Sequence, residues 1–254
     1  MYLNQEKFVI NIEHLSSPIL LTIPHGGMNS KYSSWLKNFF KERTKAEEKE
    51  KNIIQGEKIA LGGDGQIWHI VCDILKDYPA NAVMGLLPRN IVDYNRFIKE
   101  VAYADKKVST FYDFYHKSIE RIIKKLLLKH KKVILLDLHG FGTQPIVENT
   151  FDIILGTNDK ETSPDKIDEF FYSSLKNNYK IFCNGVDNMP PETLYKGDTS
   201  NLYYYKKFGI NTMLIEIASK FRSGKISSSK ENGKQLAKDI ARFLKQLENK
   251  LKQI

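Results

Sequence analysis

The sequence predicts an α/β domain: a mixed, mainly parallel sheet flanked by helices. Three observations carry that prediction. Two near-continuous aliphatic runs, 133–138 (VILLDL) and 19–23 (ILLTI), have the composition of strands covered on both faces rather than one. Amphipathic helical stretches alternate with them along the chain, the pattern of strand–helix–strand units. Each run then passes into a glycine-rich segment holding a histidine: Pro24-His25-Gly26-Gly27 in one case, His139-Gly140-Phe141-Gly142 in the other.

In order, residues 8–13 (FVINIE) alternate like an edge strand, and 18–23 form the first central strand. Trp35, Leu36, Phe39 and Phe40 give 31–40 helical spacing. The charged stretch 41–58 reads as either an exposed helix or a mobile surface loop, the loop being preferred and able to serve as a lid. Gly62-Gly63-Asp64-Gly65 is a turn leading into a helix striped by Ile67, Val71, Ile74 and Leu75. Residues 81–87 form a strand, 109–129 a long helix, 133–138 the strand already named, and 152–155 a short strand. Ser163 followed by Pro164 predicts a helix start through Ile167, Phe170, Phe171 and Leu175. Residues 181–200 read as one long loop, 211–217 as the last buried strand, and Leu236 to Leu251 as the closing amphipathic helix. No repeat or linker divides the chain, so residues 1–254 are expected to form a single domain.

Composition narrows the function classes. At 254 residues with 41% hydrophobic content, the chain can bury a sizeable core. A net charge of +9 without any nucleic-acid motif is read as lysines on solvated helix faces and a field suited to an anionic small molecule. Cys72 and Cys183 lie far apart without a CxxC, so a reducing, cytoplasmic setting is expected. Glu6, Glu13 and His14 argue against a signal peptide, and no run is long enough to span a membrane. Phosphate-loop, dinucleotide and nucleophile-elbow motifs do not occur.

The chemistry-bearing residues fall at the predicted strand ends, where open α/β sheets gather ligands. His25 and His139 can converge on one crevice, and imidazole is the commonest metal ligand. A catalytic zinc site takes three protein ligands, so a third is needed. Asp64 leads, with His69 as its rival. Arg89, Asp93, Asn95 and Arg96 form a second cluster, in which guanidinium forks suit a carboxylate. Glu216, in the apolar run MLIEIA, is a general-base candidate because burial raises a carboxyl pKa.

Taken together, LLTIPHGG (20–27), GGDG (62–65), PRNIVDYNR (88–96), LLDLHGFG (135–142), DIILG (152–156), NMPPETLYKGDTSNLYY (188–204) and MLIEIA (213–218) resemble the N-formylglutamate amidohydrolase family. The resemblance implies a zinc-carboxypeptidase-like α/β fold and metal-dependent hydrolysis of N-formyl-L-glutamate to formate and glutamate, a step of histidine breakdown. It implies Zn2+ or another divalent metal on His25, Asp64 and His139, an acidic small-molecule substrate gripped by Asn95 and Arg96, Arg89 assisting at the scissile carbonyl, and Glu216 as base. One departure stands out: the family's Asp is followed directly by an aromatic, whereas Gly65, Gln66 and Ile67 here precede Trp68. Alternatives on the same fold are a metallopeptidase or cell-wall amidase, or a metal-free binding protein. Oligomeric state is not readable from sequence.

Overall fold

A computed structural model describes residues 8–26, 64, 66–89, 91–98, 102–103, 106–142, 150–186, 189, 191–192, 195–222 and 227–252, and of 53–54, 57–58 and 227–230 the backbone only. The expected helix at 31–40 lies outside the described residues, as does most of the 41–58 stretch.

In chain order the elements are β1 (Val9–Ile12), β2 (Ile19–Ile23), β3 (Ile53–Ile54), β4 (Glu57–Lys58), α1 (Ile67–Asp77), β5 (Asn81–Gly85), α2 (Ser109–Leu127), β6 (Ile134–Phe141), β7 (Ile153–Gly156), α3 (Ile167–Leu175), β8 (Ile181–Phe182), α4 (Ser200–Phe208), β9 (Asn211–Ala218) and α5 (Ser227–Leu251). Seven strands form one sheet in the order β1-β5-β2-β6-β9-β7-β8, while β3 and β4 pair by themselves. Only β1–β5 and β7–β9 are antiparallel, so the sheet is mixed and mainly parallel. The expected fold class is therefore observed.

Strand alternation sorts the core. Ile134, Leu136 and Leu138 of β6 face the layer of α1, α3 and α5, packed with Ile74, Phe171, Ile240 and Leu244. Leu135 faces the other layer, with Phe111, Ile119 and Ile122 of α2. Beyond Leu135 the same face carries Asp137, His139 and Phe141, and this is where the polar residues collect.

Four departures from expectation bear on the site and the elements around it. β6 runs on through His139 and Gly140 to Phe141, because β9 continues beside it and supplies ladder partners as far as Ala218. Gly140 is therefore a strand residue, and a Cβ there would overlap the Arg222 guanidinium. Ile181–Phe182 is a short parallel edge strand against Ile153–Ile154 rather than loop, too brief to show periodicity. Helix α3 begins at Ile167, three residues after Pro164, because Lys166 sits at φ 58 in the left-handed region. Lys166 rather than Ser163 therefore holds the N-cap position, although the Ser163 hydroxyl accepts the Ile167 N–H at 3.0 Å. Helix α4 was not expected. Its run SNLYYYKKF has polar residues at both ends, and it stops at Gly209, at φ 65.

Candidate metal centre

His25, Asp64 and His139 come together from three separated places in the chain. His25 follows β2 by two residues, Asp64 precedes α1, and His139 lies within β6. All three are buried. One ligand atom from each can be chosen so that all lie within 4.8 Å of one another. Both imidazoles turn Nδ1 toward Asp64 Oδ2, at 3.1 Å each, and the two rings stand edge to face with centroids 4.9 Å apart.

The far nitrogens explain that orientation. His25 Nε2 lies 2.7 Å from Asp93 Oδ1, and His139 Nε2 lies 3.2 Å from Asp137 Oδ2. An Nε2–H donated to a carboxylate leaves Nδ1 aimed at the centre, the arrangement by which outer carboxylates orient metal-binding histidines. Each outer carboxylate is itself held. Asp93 accepts the Asn95 backbone N–H at 3.0 Å and Arg89 Nε at 2.9 Å. Asp137 accepts the Thr22 hydroxyl on Oδ1 and the Ser200 hydroxyl on Oδ2, both at 2.6 Å. Thr22 is placed for this by register, since β2 and β6 pair Thr22 with Asp137.

Burial works against the ionised form of each of these carboxylates, yet all three keep low pKa values. The charges of His25 and His139 hold Asp64 well below the usual range; His25 and Arg89 lower Asp93; His139 lowers Asp137. Reciprocally, and against its burial, His139 is raised well above an ordinary imidazole by Asp137 and Asp64. Three carboxylates gathered around two imidazoles make the centre a place suited to positive charge. A divalent cation fits that donor set: two imidazole nitrogens and a carboxylate oxygen, with an outer partner for each ring.

Glu216 stands opposite His139 in the β6–β9 ladder, and paired residues of parallel strands project to the same face. It is 6% exposed, and its Oε2 has no hydrogen-bond partner among the described residues. Burial, reinforced by Asp64 and opposed by the imidazoles, pushes its carboxyl pKa up to about 7.

The Arg89–Arg96 segment closes one side. A turn in which Pro88 O accepts the Ile91 and Val92 N–H groups brings Arg89 and Asp93 together. The Arg89 side chain is 16% exposed and reaches Asp64 at 4.0 Å as well as Asp93. A salt bridge from Asp93 to Arg89 is thus present, but it is buried and shared with His25. Arg96 donates Nη1 to the Asn95 carbonyl at 2.8 Å. His69, the rival third ligand, is exposed on α1 and stacks beside Trp68, 3.6 Å between centroids.

Several residues that complete the site are not singled out from the sequence, although Thr199 and Ser200 fall within the 188–204 segment of the family resemblance. Ser200 and Thr199 lie in the segment read as loop. Arg222, buried, donates Nε to the Ile217 carbonyl at 2.9 Å and Nη2 to the Phe141 carbonyl at 2.7 Å, tying together the carboxyl ends of β9 and β6. Asp93 and Asp137 carry a clearer signal: each belongs to a motif that also holds a ligand or substrate candidate.

Among solved structures, the chain superposes on an N-formylglutamate amidohydrolase from Ralstonia eutropha JMP134 with a TM-score of 0.63 at 14% identity, covering 94% of this chain and 97% of that one. A gene product of Agrobacterium tumefaciens gives 0.63 at 12% identity, covering 95% of each chain. At these identities the likeness establishes the fold. A comparison with curated proteins gives no match. The sequence profile of N-formylglutamate amidohydrolases matches residues 72–221, a span that includes Arg89, Asn95, Arg96, His139 and Glu216, with His25 and Asp64 lying before it. With more than half its length matched, this chain belongs to the N-formylglutamate amidohydrolase family.

Proposed function

We propose that the protein is a metal-dependent amidohydrolase that cleaves the amide bond of N-formyl-L-glutamate or a similar acidic N-acyl amino acid. The observation that carries this reading is the convergence of His25, Asp64 and His139 with donor atoms within 4.8 Å, each imidazole backed by its own carboxylate. Zn2+ is the proposed ion, since it takes nitrogen and oxygen ligands in three-residue catalytic sites. When bound, a divalent ion supplies Lewis acidity, acidifying a water and polarising an acyl oxygen.

The remaining steps belong to the chain. Glu216 is placed on the face of His139, with an unpartnered oxygen and a carboxyl pKa near neutrality, so it accepts the proton of the attacking water. The same carboxyl then protonates the leaving amine. Arg89, fixed by Asp93 beside Asp64, stabilises negative charge developing on the acyl oxygen. Asn95 and Arg96 bind the substrate carboxylate and align the amide with the reacting groups. The basic chain and the two free cysteines suit an anionic small substrate in a reducing cytoplasm. Nucleic acid and membrane are not among the proposed partners.

Metal content by plasma mass spectrometry, on wild type and His139→Ala purified without added metal, tests the site. About one ion per chain, lost in the variant, is the expected result. Wild type free of metal even after incubation with zinc would sink the hydrolase reading. A substrate panel of N-formyl-L-glutamate, neutral N-formyl amino acids and peptides then tests the specificity.

A further inference from the structure

The turn that opens α4 touches both halves of the site. Ser200 is buried and donates its hydroxyl to Asp137 Oδ2 at 2.6 Å, the oxygen that also faces His139 Nε2 at 3.2 Å. The backbone N–H of the same Ser200 donates to Asn95 Oδ1 at 3.3 Å, and the Thr199 hydroxyl donates to that oxygen at 2.7 Å. A backbone N–H can only donate, so the Asn95 atom facing it is the carbonyl oxygen. The amide orientation is thereby fixed: Oδ1 is committed to α4, and the NH2 group points the other way.

Resting on the metal-hydrolase reading above, we infer that Thr199 and Ser200 are positioning residues that set the metal ligand and the substrate clamp in register with one another. Ser200, through Asp137, aims His139 Nδ1 at the cation position. Thr199 and the Ser200 N–H together present Asn95 to the substrate as a hydrogen-bond donor only, which selects an acceptor there, a carboxylate or acyl oxygen, and rejects a donor. The two halves, Asn95 and Asp137, lie 42 residues apart in the sequence, and a pair of adjacent residues at the start of one helix spans them. Neither residue needs to touch the reacting atoms.

The test reads metal affinity and kinetics separately. Metal-stripped protein is titrated with zinc against a chromophoric chelator. Ser200→Ala is expected to bind zinc 10- to 100-fold more weakly than wild type, and Ser200→Thr, which restores the hydroxyl, to recover most of that loss. Should Ser200→Ala fail to fold, judged by near-ultraviolet dichroism, Ser200→Cys keeps the volume with a poor donor and is expected to show the same loss. Thr199→Ala is expected to leave zinc affinity at the wild-type level while raising KM for N-formyl-L-glutamate about tenfold, with kcat moved far less and Thr199→Ser restoring KM.

Wild-type zinc affinity in folded Ser200→Ala, or no recovery in folded Ser200→Thr, overturns the Ser200 role while leaving the hydrolase reading intact. Unchanged KM in Thr199→Ala overturns the Thr199 role. Wild type that binds no zinc overturns the metal reading, and the inference with it.

Discussion

Glu216 shows how one residue's environment defines its chemistry. In water a glutamate is ionised at neutral pH and a weak base; here burial brings its carboxyl pKa to about 7 and its Oε2 has no partner among the described residues. Glu216→Gln preserves the shape and removes the proton acceptor. It is expected to lower kcat by a factor on the order of 10^2–10^4 with metal content unchanged, checked by steady-state kinetics beside mass spectrometry. Equal turnover would remove Glu216 from the mechanism. Arg96→Ala is expected to raise KM about tenfold or more for acidic substrates and to leave neutral N-formyl amino acids little affected. An equal loss on both substrate classes would contradict the clamp. These residues were legible as candidates because an acid inside an aliphatic strand, and an Arg-Asn-Asp cluster after a strand end, are placements that sequence displays directly. Asp64 was legible as a candidate only; its place beside the histidines, and the exposed position of His69, depend on how the turn before α1 folds back.

At the scale of elements, the contacts that matter are those between a helix or loop and the sheet face beneath it. His116 of α2 is buried with Nδ1 2.6 Å from the Tyr204 hydroxyl of α4, and burial lowers its pKa to about 4 from an ordinary 6.5. The unfolded chain takes up this proton as pH falls below 6.5 and the folded chain resists until about 4. The stabilisation from neutral His116 is therefore complete above pH 6.5 and drains away as pH falls toward 4. His116→Gln is expected to remove a slope worth on the order of 3 kcal/mol across that window. Urea unfolding of both proteins at a series of pH values checks it, and parallel curves would refute it. Gly156 of β7 offers a second test. A Cβ there would overlap the Tyr195 carbonyl, and the backbone of 195–197 lies directly on the strand, with Gly197 at φ 75. Gly156→Ala is expected to cost about 1–3 kcal/mol, read as a lowered Tm. Helix α4 itself escaped prediction because its pattern is weakly amphipathic; its position is set by contacts to β9 and α2, such as Thr212 donating to the Asn201 carbonyl at 2.9 Å.

For the whole molecule, a cation held at the proposed site would link it to global stability, because His25, Asp64 and His139 lie 39 and 75 residues apart in sequence and the unfolded chain has no such site. Zinc present at about 1,000 times its Kd is expected to stabilise wild type by roughly 4 kcal/mol over the metal-stripped form, and to leave the Tm of His139→Ala nearly unmoved. Calorimetry with and without zinc measures both. Exposed helix positions carry part of the charge of +9, including Lys124, Lys234, Lys238, Lys245 and Lys250, and no described helix is long and apolar enough to cross a membrane.

By itself the sequence determined the α/β class, the mainly parallel sheet, the buried strands and a set of candidates for the chemistry. It could do so because burial on both faces and strand-end placement leave marks in local composition. Tertiary structure alone decided that β6 continues past His139, that Asp93 and Asp137 back the two imidazoles, and that one turn of α4 joins Asn95 to Asp137. Those facts rest on hydrogen bonds between residues as many as 115 positions apart, such as Thr22 to Asp137. Periodicity records which face a residue shows, and only the folded chain decides which distant residue meets it there.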